Sequence, residues 1–408
     1  MAPRRNTILL WLVTSVALCC EPLLAADFSV HDTGAKADST TDDAAAIQRA
    51  IDQASRAGGR VLFPPAERPY LIGKPLVVAA SNVELHGPGA TLKLADGASA
   101  GKTVDCIEIK GTKDKPLRDI AIRGLTIDAN YWKQPGAKAP RGIDSDWATN
   151  LVVDKVTIKR AWVGLTFGRG VTHSEARDCL ITQWHNDAYD VSGDRDAAAT
   201  HHVRFLRCRA ANSPDEDQGG LPGRRDDAWE IEDGCTDVEL VDCVAENAGG
   251  TAFGVRSHRY TKPVEMRRIA FTRCRATKMR RFGWCVRGTS AIVTTHGVKL
   301  IDCSSDSTCA FYNGVGDIEI AGGTFTAPLL IGMYRDSEKA TQPPAAPARD
   351  VAISRAKLDV LKANLKPGND GAQGYQPTLT LRRTTVANTL KVFGDRKHLD
   401  ATDCQLPQ

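Results

Sequence analysis

The sequence predicts an all-β fold: a single-stranded right-handed parallel β-helix, closed at its N-terminal end by a capping α-helix. One observation is a phrase that recurs from Asp119 to the C-terminus, in which two apolar residues alternate with polar ones and a small or sulfur-bearing residue follows. In phase it reads Val203 to Cys208, Val238 to Cys243, Ile269 to Cys274 and Val298 to Cys303, with looser copies at Ile120, Leu151, Val351 and Leu379. A second is the period, roughly 20 to 35 residues, which is that of a solenoid. A third is the period-2 alternation within each copy, which makes the repeating unit a short strand rather than a helix pair.

Composition agrees with an ordinary globular chain: 408 residues, 42% apolar, 25% charged, formal net charge +4. That excludes a disordered chain or a nucleic-acid-binding tail. Arg4-Arg5, the apolar run from Ile8 to Cys19 and Leu24-Ala25-Ala26 read as a signal peptide over residues 1–26. The run is too short for a membrane anchor, so a secreted or periplasmic product without membrane contact is expected. Residues 27–408 should then form one domain, with a helical cap at about 41–57 and coils at about 60–408. Thr41 is the expected N-cap, Gly58-Gly59 the stop, and Ala44, Ile47, Ile51 and Ala54 the apolar face that plugs the open solenoid end.

Cys179, Cys208, Cys243, Cys274, Cys303 and Cys404 share one phase, so they should stack about 4.8 Å apart as an internal ladder. Parallel Cβ vectors suit a disulfide poorly. Cys106, Cys235, Cys285 and Cys309 fall outside that phase, which leaves room for one disulfide among them.

A second strand follows in each coil: Ala188 to Ser192, Ala228 to Glu232, Ala252 to Arg256, Gly283 to Arg287, Ala310 to Tyr312. Its second column is aromatic (Tyr189, Trp229, Phe253, Trp284, Phe311) and is read as an internal stack. The opposite face carries Asp190, Glu230, Gly254, Cys285 and Tyr312 in one row, and Ser192, Glu232, Arg256 and Arg287 in the next. Asp187 and the pair Asp226-Asp227 stand just ahead of it, with Asp144, Asp146 and Thr166 in preceding turns. Acids this close raise one another's pKa, as a general acid requires. The segments 128–141, with Tyr131 and Trp132, and 212–225 are expected to wall this cleft.

The stretch Asp32-Thr33-Gly34-Ala35 through Ile51, followed by Gly58-Gly59-Arg60-Val61-Leu62-Phe63-Pro64-Pro65, resembles the N-terminal signature of the pectate-lyase-like superfamily. Asp187 to Ser192 is similar to a motif of its family 28 glycoside hydrolases (polygalacturonases), and Asp226-Asp227 resembles their paired aspartates. The resemblance implies that Asp227 is the general acid and that Asp187 and Asp226 activate water, in an inverting hydrolase. That family's catalytic-site histidine has no counterpart in register here. Gly250-Thr251 stands in its place, and Ser257-His258-Arg259 lies beyond the strand.

The expected partner is therefore a polysaccharide, and the expected activity is hydrolysis of an acidic, uronate-bearing or sulfated glycan such as pectin, with no cofactor. Asp190, Glu230, Glu232, Arg256, His258, Arg259, Arg287 and Tyr312 would bind the substrate. The alternative is a Ca²⁺-dependent lyase in which Asp190, Glu230 and Glu232 hold the ion and Arg256 or Arg287 takes the C5 proton. A third reading is a non-catalytic glycan-binding solenoid. A monomer and a homo-oligomer are both compatible with the sequence.

Overall fold

The computed structural model describes residues 26–99, 102–134, 140–193, 200–213, 227–256, 264–288, 293–312, 314–332, 348, 350–365, 377–394 and 396–407. Every named strand pairing among them is parallel, and the chain forms the right-handed β-helix expected. One continuous sheet of fourteen strands runs the length of the solenoid. Two further ladders complete each coil and merge in the long strands Lys357–Leu365 and Thr385–Gly394.

Three strands per coil require three corners, and most coils turn them with a single residue of positive φ. One corner column runs Lys155, Asp178, Arg207, Asp242, Arg273 and Asp302, at φ 51–55°. A second contains Arg160, Gln183, Asn212, Asn247 and Lys278, and a third contains Asp119, Asn150, His173, His202, Asp237 and Arg268. A non-glycine residue at such φ costs about 1–2 kcal/mol, so the chain accepts strain at each bend to keep its strands in register. On the outer side of the first corner, acids and arginines alternate along the axis. Arg207 grips Asp178 at 2.7 and 2.8 Å, and Arg273 grips Asp242 at the same distances. Exposed forks of this kind add little stability each.

Inside, equivalent residues stack. Leu85, Ile122, Val153, Ala176, Phe205 and Leu240 form one file, all fully buried. The aromatic column is internal as expected: Tyr189 stacks on Trp229 (4.5 Å, 12°), Trp229 on Phe253 (5.2 Å) and Phe253 on Trp284 (4.7 Å). The register then shifts by two residues. Phe311 pairs with Val286 rather than Trp284, because the two-residue strand Ser304–Ser305 replaces the longer Arg275–Met279 in that coil.

The cap helix spans Ala44–Ala57 and starts later than the sequence suggests. Thr41 is not its N-cap. Its hydroxyl and amide bind Asp38, while Asp43 occupies the N-cap and accepts the amides of Lys36 and Ala37. Ala44, Ile47, Ile51 and Ala54 are buried, as the apolar face predicts. Gln48 exchanges two hydrogen bonds with the Val77 backbone (2.9 and 3.0 Å), which satisfies the edge of the first coil. Strand Ala26–Ser29 pairs with Gly59–Leu62 ahead of the helix, an element that sequence periodicity alone did not reveal.

The cysteine column is buried from Cys179 to Cys303, and Cys404 is half-buried near the C-terminal end. Each buried ladder thiol donates to a carbonyl of the neighbouring coil, as in Cys208 to Ala176 (3.3 Å) and Cys243 to Phe205 (3.5 Å). Thr384 fills the same position with a hydroxyl, donating to Ile353 at 3.2 Å. All ten described cysteines are free thiols, so the disulfide for which the sequence left room is not formed. Titrating denatured, unreduced residues 27–408 should therefore count about ten thiols, with Cys404 reacting first in the folded protein. A count near zero would overturn the ladder.

Candidate active site

Alternation within the strands sets the site. Tyr189 and Val191 point inward in Asp187–Ser192, which turns Asp190 and Ser192 outward. In-register pairing with Trp229–Glu232 and Phe253–Arg256 then lines up Asp190, Glu230 and Gly254 in one outer row, and Ser192, Glu232 and Arg256 in the next. The same rows reach back to Glu108, Asp144 and Thr166, and to Lys110 and Asp146.

The densest point is where Asp187, Asp227, Glu230 and Arg256 meet. Asp227 is fully buried, and its amide donates to Asp187 Oδ1 at 2.9 Å. Its carboxylate reaches over Gly254, where a Cβ would overlap it. Arg256, only 13% exposed, places Nη2 3.4 Å from Asp227 Oδ2 and donates through Nε to Glu230. A buried cation between two carboxylates compensates for their desolvation and its own. The two acids hold the Arg256 guanidinium protonated above its ordinary range against the opposing effect of burial.

Arg256 leaves other acids uncompensated. Burial pushes Asp187 well above the carboxylate range, and Glu230, Asp227 and Asp190 push it further. Asp190 is raised in the same way, by burial first and then by Glu232 and Glu230, and its Oδ1 has no hydrogen-bond partner. The site thus sets Asp187, driven toward its protonated form, beside Asp227, which faces a guanidinium.

Tyr312 lies in the row of Arg287, not that of Cys285 as the sequence phase suggested, because of the register shift. Its hydroxyl still comes within 3.8 Å of the Cys285 thiol, and burial raises it above its ordinary range. Asp226, His258 and Arg259 lie outside the described residues. Among the described residues, Asp190, Glu230 and Glu232 do not bring three ligand atoms within 4.8 Å of one another, and Glu230 is engaged with Arg256. The three do not form a ready calcium cage.

Sequence reasoning missed two groups. Upstream, Asp105, Glu108 and Arg141 join Asp144, which the sequence had placed on this face, in a second acidic cluster where Arg141 pairs with Asp144. Only the regular spacing of strand Ile107–Lys110 could have revealed it. Beside Asp187, buried His185 packs against Trp162 (4.5 Å) and Tyr131 (5.0 Å). Tyr131 itself is buried, with its hydroxyl pushed up to about 12 by burial, so this ring belongs to the packed base of the segment rather than to an open sugar platform. Trp132, half-buried against Tyr131, continues that cluster.

Residues 28–197 match the family model described as Rhamnogalacturonase A/epimerase, pectate lyase-like. Over those residues the chain is similar to the pectate-lyase-like model, in line with the N-terminal signature. Alginate lyase 7 of Azotobacter vinelandii is 28% identical over 183 residues, 39% of this chain, and the chain spans about a fifth (21%) of that relative. Among solved structures, the A-module of the Azotobacter vinelandii mannuronan C-5 epimerase AlgE6 superposes with a TM-score of 0.66 at 15% identity, covering 94% of this chain and all (100%) of that one. The exopolygalacturonase of Thermotoga maritima gives 0.59 at 14%, covering 89% and 92%. Both structural likenesses speak to the fold.

Gly254→Ala should leave the chain folded yet lower activity at least about tenfold, since the new methyl displaces the Asp227 carboxylate. Unchanged turnover would remove that carboxylate from the chemistry. A second expectation concerns Asp105, held near about 7 by burial first, then by Asp144 and Glu108 against Arg141. Its folded pKa exceeds the unfolded value of about 3.9, so its stabilising contribution is complete below that pH and is lost as pH rises through about 7. Asp105→Asn should flatten the fall of Tm between about pH 4 and 7, and an unaltered slope would contradict this.

Proposed function

We propose that this chain is an exported enzyme acting on an acidic, uronate-bearing polysaccharide, and that it cleaves by hydrolysis with paired carboxyl groups. The observation that carries this reading is the divergence of two neighbouring acids: Asp187 is driven toward its protonated form, while Asp227 faces Arg256. The resemblance to family 28 hydrolases gave proton donation to Asp227. Full burial against a guanidinium suits Asp227 to the ionised role, and proton donation passes to Asp187. Asp227 then serves as the base toward water, together with Asp226 as that resemblance implies. Asp190, whose Oδ1 is unpartnered, offers a hydrogen bond to a sugar hydroxyl or carboxylate. Arg287, with the neutral Tyr312 hydroxyl one rung on, forms a cationic end suited to the next uronate along the chain. An exported product accords with the leader-like residues 1–26, and no helix of the described residues is long and apolar enough to cross a membrane.

A second reading, β-elimination, draws on the similarity to an alginate lyase and on the same cationic end. There the protonated Asp187 and Asp190 would neutralise the uronate carboxylate, Arg287 in its deprotonated form would accept the C5 proton as the C4–O bond breaks and a C4–C5 double bond forms, and Tyr312 would give the leaving oxygen its proton.

Incubation with a panel of uronans, alginate and polygalacturonate among them, separates the two. Hydrolysis yields reducing ends without ultraviolet absorbance. Asp187→Asn and Asp227→Asn should each lower kcat by about 10² or more, some 2.7 kcal/mol of barrier, with little change in binding. Activity should also fall as pH rises through the elevated pKa of Asp187, since the donor proton is then lost. Unsaturated products from an active Asp227→Asn enzyme, with Tyr312→Phe or Arg287→Ala inactive, would replace hydrolysis with elimination.

A further inference from the structure

At the corner that the chain reaches after strand Asp187–Ser192, two adjacent coils present three imidazoles. We propose that His173, His201 and His202 bind one divalent late-transition-metal ion of the zinc, nickel or copper class. Strands Thr172–Arg177 and His201–Leu206 pair in register from Thr172 and His201, which sets His173 beside His202 on neighbouring rungs. Both residues hold positive φ, 50° and 55°, and their rings stack at 4.7 Å with 14° between planes. In the flanking coils the same corner position is filled by Asn150 and Asp237. Those are residue types that accept this backbone at low cost. Turn geometry alone therefore does not call for two histidines here.

One ligand nitrogen from each ring lies within 4.8 Å of the others, the only such set among the described His, Cys, Asp and Glu residues. His201 Nδ1 and His202 Nδ1 are 2.8 Å apart. With metal–nitrogen bonds of about 2.05 Å, a cis pair at 90° spans ~2.9 Å and a tetrahedral pair ~3.3 Å, so the spacing already approaches that of a cis chelate. His173 and His202 are exposed and His201 half-buried, which leaves the remaining positions to water. Asp237, one rung on, is engaged by Arg268 and Thr236 and supplies negative charge outside the ligand set. The three ligands sit on a rigid sheet, so little ordering is required on binding. An ion there would clasp two coils directly beyond the groove strand.

The test uses the full mature chain expressed without an oligohistidine tag. Calorimetric titration with Zn²⁺, Ni²⁺ and Cu²⁺ should give one site per chain of about micromolar affinity, with no competition from Ca²⁺ or Mg²⁺. His173→Asn and His202→Asn keep the corner conformation, as Asn150 does, and each should weaken binding at least about tenfold while leaving the metal-free Tm unchanged. Metal should raise the Tm of the parent chain and not that of the double variant. Binding no tighter than about millimolar, or of equal strength in the variants, would overturn the site.

Discussion

Everything in this molecule depends on axial register, the alignment of each strand with its equivalent one coil away. Parallel ladders place equivalent residues about 4.8 Å apart, so any side chain is repeated, complemented or opposed by the residue directly above it. The thiol file, the aromatic stack and the corner columns of positive φ are three expressions of that constraint. A slip of one residue would turn the core side chains outward. The shift at Cys309–Tyr312 is of two residues, which keeps Phe311 inside and moves Tyr312 along the groove to Arg287.

Register has an electrostatic consequence that differs between surface and groove. At the exposed first corner, Asp178, Arg207, Asp242 and Arg273 alternate, and water screens what remains. In the groove, Asp187 and Asp190 in one coil face Asp227 and Glu230 in the next with little solvent between them. Repulsion there is relieved by retained protons and by Arg256, which bridges Asp227 and Glu230. The absence of a side chain at Gly254 makes room for the Asp227 carboxylate and thereby sets where that relief falls. The electrostatic difference between these carboxyls thus follows from which of them Arg256 reaches.

Much of this was legible in the chain itself. Period-2 phrases ending in cysteine predicted the strands, the solenoid, the thiol file and the internal aromatic column, because a stacked fold repeats its sequence pattern at each coil. Alternation also predicted that Asp190, Glu230, Glu232, Arg256 and Arg287 share an outer face, since adjacent strand residues point to opposite sides. The apolar spacing of Ala44, Ile47, Ile51 and Ala54 likewise revealed the cap helix. Distances between coils decided the rest. That Arg256 reaches Asp227, that Asp187 is driven toward its protonated form, that Tyr131 packs inward and that His173 meets His202 all depend on side chains some thirty or more residues apart, or on neighbouring coils of unequal length. Local pattern names the face a residue occupies. The carboxyl that ionises is decided by the close approach of charges from different coils in a dry groove, and only the folded chain sets that approach.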